Sequence, residues 1–150
     1  MIRTAIRRDL ILAVFTTLSL SFLLPLHPAK AEGPLDAMIS RHAAANGVPE
    51  ALVRRVIKRE SGGNPRAVNA GNYGLMQIRL GTARAMGYRG DASGLLDADT
   101  NMTYAVKYLA GALRAAGGNH DRAVMNYARG YYYEAKRQGF NAYATAGAPQ

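Results

Sequence analysis

The sequence predicts an all-α fold in a single domain, and three observations carry that expectation. Apolar residues recur at three- and four-residue spacing in segments of helix length. Gly or Pro punctuates the chain between those segments. No run alternates apolar and polar residues convincingly enough for a strand, and neither an internal repeat nor a second domain is visible.

The elements follow in order. A helix is expected from Leu35, just after Pro34, to Asn46, where Gly47 stops it. The next runs from Pro49, in its first turn, to about Ser61 and ends at Gly62-Gly63. Residues 62–73 are rich in Gly, Asn and Pro and read as a loop. Gly74 to Ile78 is the one place where a brief extended segment fits. A short helix from Leu80 to Met86 ends at Gly87, and residues 88–98 read as irregular. Asp99 or Thr100 can cap a helix carrying Met102, Ala105, Val106, Leu109 and Leu113, which ends at Gly117-Gly118. Another starts near Asn119 to Asp121, runs through Val124 and Tyr127, and breaks or bends at Gly130. Tyr131 to Gln138 is expected to be helical, with Gly139 as its stop. From Phe140 the chain is Ala/Gly-rich and is expected to be a loose tail over residues 140–150.

The first 31 residues carry a different signal. Arg3, Arg7 and Arg8 form a basic head, Leu10 to Leu24 is an apolar run broken only by Ser and Thr, and Ala29-Lys30-Ala31 fits a small-x-small cleavage site. Residues 1–31 therefore read as a secretory signal peptide cut after Ala31, and residues 32–139 as the folded domain. A retained membrane anchor is the competing reading; the run is short for a full span. Arg7-Arg8 permits twin-arginine export, which Asp9 disfavours. The expected destination is the periplasm or the outside of the cell, with no stable membrane insertion after cleavage.

The chain has 150 residues and a net charge of +9, three of which leave with the signal peptide. An exported basic domain points to an acidic partner such as a cell-wall polymer or anionic lipid, and export argues against nucleic acid. A charge that serves only solubility is the competing reading. There is no cysteine, which excludes disulfides, thiol catalysis, a Cys-ligated zinc site and a lipid anchor on an N-terminal Cys. The domain must stand on its hydrophobic core, and 49% apolar composition allows that.

Glu60 stands out within this pattern. At about 100° per residue, Leu52, Val53, Val56 and Ile57 make one apolar stripe, and Glu60 falls near its centre. Arg54, Arg55, Lys58 and Arg59 take the opposite, solvated face. Burial beside the stripe and the negative end of a helix both disfavour ionisation of Glu60. A carboxyl held protonated near neutral pH is what general-acid cleavage of a glycosidic bond requires. The competing reading is a Glu paired with a neighbouring Arg at the helix edge.

Further along come Gly74-Leu75-Met76-Gln77-Ile78, Thr82-Ala83, Asn101-Met102 and Asn126-Tyr127-Ala128-Arg129-Gly130. With Glu60-Ser61 ahead of them, from about Leu35 to Gly139, the chain resembles the catalytic domain of the soluble lytic transglycosylases, which is lysozyme-like. The family pattern is E-S, then G-L-M-Q with T-A shortly after, then A-Y-N-x-G. The resemblance implies that Glu60 is the single catalytic acid/base and that Ser61 orients groups near the reacting sugar. It implies that Gly74, Met76 and Gln77 line the saccharide groove, and that Tyr127 points its hydroxyl toward Glu60 or the substrate. Leu75 and Met76 can equally be core, and Tyr127 can be packing. Of Tyr131, Tyr132 and Tyr133, one ring could stack on a sugar and at least two are expected to pack inside. The family's Asn after the tyrosine is Ala128 here, and Asn126 lies about 200° around the helix from it.

The chemistry implied by the resemblance is cleavage of the bond between N-acetylmuramic acid and N-acetylglucosamine in peptidoglycan glycan strands. Glu60 protonates the bridging oxygen and then takes the proton of the muramic C6 hydroxyl as that oxygen closes on C1. The product is a 1,6-anhydromuramic end, and no cofactor or metal takes part. A hydrolytic muramidase and a wall-binding module without catalysis are the alternatives. A monomer is expected. A role in wall recycling and a role in opening the wall for a secretion machine, flagellum or pilus fit the sequence equally.

Overall fold

A computed structural model describes residues 33–143, so the expected signal peptide and the end of the expected tail lie outside the described residues. Six α-helices and one 3-10 turn surround a small antiparallel sheet among these residues. Helix α1 (Pro34–Asn46) opens on Pro34, and the carboxylate of Asp36 accepts the Gly33 N–H at 3.2 Å. It closes on Gly47 at φ 61°, where the Val48 N–H reaches back to the Ala43 carbonyl.

Helix α2 (Glu50–Glu60) buries Leu52, Val53, Val56 and Ile57 and leaves Arg54, Arg55, Lys58 and Arg59 exposed, as the periodicity predicts. Each of the four buried side chains contributes about 1.5–3 kcal/mol relative to exposure. The basic face is partly neutralised: Arg54 pairs with Asp36, and Arg55 with Asp121 at 2.6 Å.

The all-α expectation needs one correction. Strands β1 (Val68–Asn69), β2 (Asn72–Tyr73) and β3 (Ile78–Arg79) form an antiparallel sheet, in register Val68 with Tyr73 and Tyr73 with Ile78. Each strand has two residues, too few for an alternation to show. The β1–β2 turn is Ala70-Gly71, both at positive φ (47° and 80°), as a two-residue hairpin turn requires. Of Gly74 to Ile78, where an extended piece was expected, Ile78 opens β3 and Gly74–Gln77 is the turn between β2 and β3.

Helix α3 (Leu80–Ala85) follows β3 directly, and the irregular segment after it holds a 3-10 turn at Ser93–Leu96. Helix α4 (Ala98–Ala115) is capped by Asp97, whose carboxylate accepts the Thr100 N–H at 2.8 Å. Asp99, one of the residues expected to cap this helix, instead holds Arg41 and the buried His42 of α1, the latter at 2.6 Å. The cap thus falls at Asp97, two residues before Asp99. Helix α4 packs against α1, α3, α5 and the 3-10 turn, and Met102, Ala105, Val106, Leu109 and Ala112 are fully buried on it.

Helix α5 (His120–Arg129) is capped by Asn119 and stops at Gly130, φ 86°. Helix α6 (Tyr132–Arg137) follows. Two expectations fail here. Of the three consecutive tyrosines only Tyr131 is buried, because α6 turns Tyr132 and Tyr133 outward. The start of the expected loose tail is packed: the Phe140 N–H donates to the Ala135 carbonyl at 3.0 Å, Phe140 lies under Arg114, and Ala142 is buried. No helix among the described residues is long and apolar enough to cross a membrane.

Candidate active site

Helix α2 delivers Glu60, its last residue, to the floor of a cleft of about 390 Å³. The sheet side supplies Asn72, Gln77, Ile78 and Arg79, and α3 supplies Thr82. Tyr108 of α4, the Tyr127–Gly130 end of α5, and Tyr143 complete the wall. Glu60 is the one carboxylate lining this cleft among the described residues.

The side chain of Glu60 is 22% exposed. Burial raises its pKa above the ordinary carboxylate value, and the nearby positive charge of Arg59 opposes that more weakly. The Arg59 Nε stands 3.6 Å from Glu60 Oε1, so the Arg partner exists as well as the apolar surroundings, and burial outweighs it. The other described carboxylates are engaged away from the cleft. Asp36 and Glu50 meet Arg54, Asp121 meets Arg55, and Glu134 meets Arg137. Asp91 accepts from Ser93 and Gly94.

The Gly74–Gln77 turn brings Gln77 to the cleft, and most polar groups of its backbone are clamped. Ser61 Oγ donates to the Leu75 carbonyl at 2.6 Å. The buried Asn101 accepts the Met76 N–H at 3.0 Å and donates to the carbonyls of Tyr73 and Leu95 at 2.8 and 2.9 Å. Tyr127 donates its hydroxyl to the Met76 carbonyl at 2.8 Å. Gln77 Nε2 donates to the carbonyls of Ala67 and Gly74, both at 3.0 Å. These bonds hold Gln77 at φ 51°, a left-handed backbone that costs a non-glycine residue about 1–2 kcal/mol.

The structure thus divides the sequence-predicted site residues. Glu60, Gln77 and Tyr127 meet in the cleft. Ser61, Gly74 and Met76 do not line it. Ser61 anchors the turn, and Met76 is fully buried because its side chain joins the core. Gly74 sits at φ 72°, where a Cβ would come within 2.3 Å of Asn101 Nδ2 and of the Leu95 carbonyl oxygen. Gln77 spends its amide N–H groups on the turn, which leaves Oε1 as an acceptor for the cleft. The Tyr127 hydroxyl is directed at Met76 rather than at Glu60. Burial raises its pKa far above the usual phenol, and the charge of Glu60 adds to that.

Ala128 lines the cleft, and Asn126 faces away, donating to the Ala112 carbonyl of α4 at 3.3 Å. Asn101, which bonds the turn, and Tyr108, which lines the cleft, have no role in the sequence-based expectations. Both lie on the stripe of α4 that carries Ala105 and Ala112. A polar residue on an apolar stripe is the signal that singled out Glu60, and applied to α4 it finds Asn101. Tyr108 rests against the rings of Tyr127 and Tyr131, with centroids 5.4 and 4.8 Å apart, and burial pushes its hydroxyl up to about 12.

Residues 37–146 match the transglycosylase SLT domain family. Among curated proteins the chain is similar to the endo-type membrane-bound lytic murein transglycosylase A of Salmonella typhimurium (strain LT2) and to its counterpart in Salmonella enteritidis PT4. Each is 39% identical over 97 residues, covering 57% of this chain and 46% of the relative. The chain therefore spans about half the length of the curated relatives it matches. With the match covering most of its length, the chain belongs to the transglycosylase SLT domain family.

Proposed function

We propose that the chain is a peptidoglycan lytic transglycosylase in which Glu60 alone serves as acid and then base. The observation that carries this reading is the single cleft carboxylate, half-withdrawn from water with its pKa raised. Glycoside hydrolysis ordinarily uses a pair of carboxyl groups across the scissile bond, about 5–9.5 Å apart. No second carboxylate lines this cleft among the described residues, so none of them offers a second carboxylate there as nucleophile or as base for water.

The substrate can supply what the protein omits. Protonated Glu60 gives its proton to the bridging oxygen as the bond to C1 of N-acetylmuramic acid breaks. The acetamido group of the same sugar stabilises the positive charge that develops. Glu60, now a carboxylate, takes the proton from the C6 hydroxyl as that oxygen bonds to C1, and the site returns to its starting protonation. Gln77 Oε1 can accept from an acetamido N–H or a hydroxyl, and the clamped turn holds it in place before substrate arrives. Ala128 leaves the cleft one hydrogen-bonding side chain short of the family pattern.

The periplasm remains the proposed site of action, with glycan strands of the wall as the substrate. Mass spectrometry of peptidoglycan digested by the protein tests the reading. Anhydromuramic ends are expected, and Glu60→Gln should lower their formation by about 10²–10⁴-fold, the usual worth of a general acid. Reducing ends in their place would identify a muramidase. Digestion that proceeds equally with Glu60→Gln would remove Glu60 from the mechanism.

A further inference from the structure

Large apolar side chains left exposed on a small domain are informative when they cluster. Five are exposed among the described residues, and Met125, Tyr132, Tyr133 and Tyr143 all line one groove of about 510 Å³ along α5 and α6. Tyr132 is 49% and Tyr133 76% exposed, with their rings edge to face at 5.2 Å. The groove also carries three arginines. Arg137 pairs with Glu134, which also accepts from Gln138 at 2.8 Å. Arg129 touches Met125 Sδ at 3.1 Å, and neither Arg122 nor Arg129 forms an ion pair among the described residues. The groove therefore presents large apolar side chains together with a positive balance of charge.

Its position gives the surface a meaning. Arg129, Gly130 and Tyr143 line both this groove and the candidate catalytic cleft, so the two are continuous. A ligand emerging from the cleft over the end of α5 passes directly onto the tyrosines and arginines. Resting on the reading of the cleft as a glycan-strand site, we propose that this groove binds the acidic peptide branch carried by a muramoyl residue of the bound strand.

The chemistry matches on both counts. Guanidinium groups take carboxylates in paired, charge-assisted hydrogen bonds. Exposed tyrosine faces and a methionine accept the aliphatic parts of short side chains. The branch is covalently attached to a sugar already held in the cleft, so even weak contacts act at high effective concentration. The arginines are exposed, so the attraction falls with ionic strength.

The test uses glycan strands with their peptides and the same strands stripped by an amidase. Sedimentation with the Glu60→Gln protein measures binding without turnover. Peptide-bearing strands should bind about fivefold more tightly, the scale two exposed ion pairs supply. Arg122→Gln with Arg137→Gln should abolish that preference and leave binding to stripped strands unchanged; glutamine keeps the helix propensity of α5 and α6. Equal binding of the two strands by the parent, or a preference that survives in the double variant, overturns the subsite. A preference that behaves as stated, with no wall cleavage by the wild type, would uphold the subsite and reject the catalytic reading.

Discussion

At the scale of the residue, Glu60 shows how one side chain can be read twice from sequence with both readings correct. The Arg partner is present and the apolar face is present; burial is the larger influence, so the carboxyl stays protonated to a higher pH than usual. The sign of the consequence follows from linkage. The fold binds this proton more tightly than the unfolded chain does. Its contribution to stability is full below the ordinary carboxylate value of 4.5 and is lost as pH rises through the elevated folded value. Glu60→Gln should therefore stabilise the protein at neutral pH and give no gain near pH ~3, where both states hold the proton. Thermal unfolding of parent and variant at the two pH values checks this. A gain of equal size at both would mean that charge burial is not the cause. On the proposed mechanism, in which Glu60 carries its proton into the reaction, the same raised pKa should place the alkaline limb of wall cleavage above the range of a free glutamate.

At the scale of the element, the decisive piece is the turn Gly74–Gln77, not a helix. Its groups are held by Ser61 from the end of α2, Asn101 from α4 and Tyr127 from α5. Three distant sequence motifs thus meet on one short backbone segment. Their residue types make sense as clamps: hydroxyls for carbonyls, and an amide where both a donor and an acceptor are needed. Asn101→Ala would leave the Met76 N–H and the Tyr73 and Leu95 carbonyls without this partner. At 1–3 kcal/mol for each buried group left unpaired, a loss of about 3 kcal/mol or more is expected in chemical denaturation. Asn101→Asp keeps the acceptor, loses both donors and buries a charge, so it should cost at least as much. Destabilisation well under about 1 kcal/mol in both variants would show that the turn holds its shape without α4. Helix boundaries in this region were legible because apolar stripes and Gly stops repeat over many residues. The hairpin was not, because two-residue strands carry no period and Ala70 replaces the Asn or Gly that signals such a turn.

At the scale of the whole molecule, the C-terminal segment closes the cleft wall. Tyr131 places its hydroxyl 3.0 Å from the Tyr108 carbonyl and 2.8 Å from that of Ala142, tying the chain after α6 to α4. Gly111 allows this: a Cβ there would sit 2.1 Å from the Tyr131 hydroxyl. With Ala142 held, Tyr143 reaches both the cleft and the arginine-tyrosine groove. Tyr131→Phe should cost about 1–2 kcal/mol and speed hydrogen exchange at the Phe140 amide, whose bond to Ala135 anchors the same segment. Unchanged exchange at Phe140 would show that the segment is held without the tyrosine. An Ala/Gly-rich stretch reads as loose from composition alone, and nothing local announces that a buried tyrosine eleven residues earlier holds it.

The sequence by itself determined the helices, the placement of Glu60 on an apolar stripe at a helix end, and the family. Each of these is written in local periodicity or in short motifs. Only the tertiary structure decided where the motif residues sit and what they bond. It made Ser61, Gly74 and Met76 parts of the scaffold, directed Tyr127 at a carbonyl, brought Asn101 and Tyr108 into play, and turned Tyr132 and Tyr133 toward solvent beside the cleft. The reason is physical: periodicity says which face of an element is buried, whereas the partner of a buried polar atom is set by which distant backbone group the packing brings within hydrogen-bond reach.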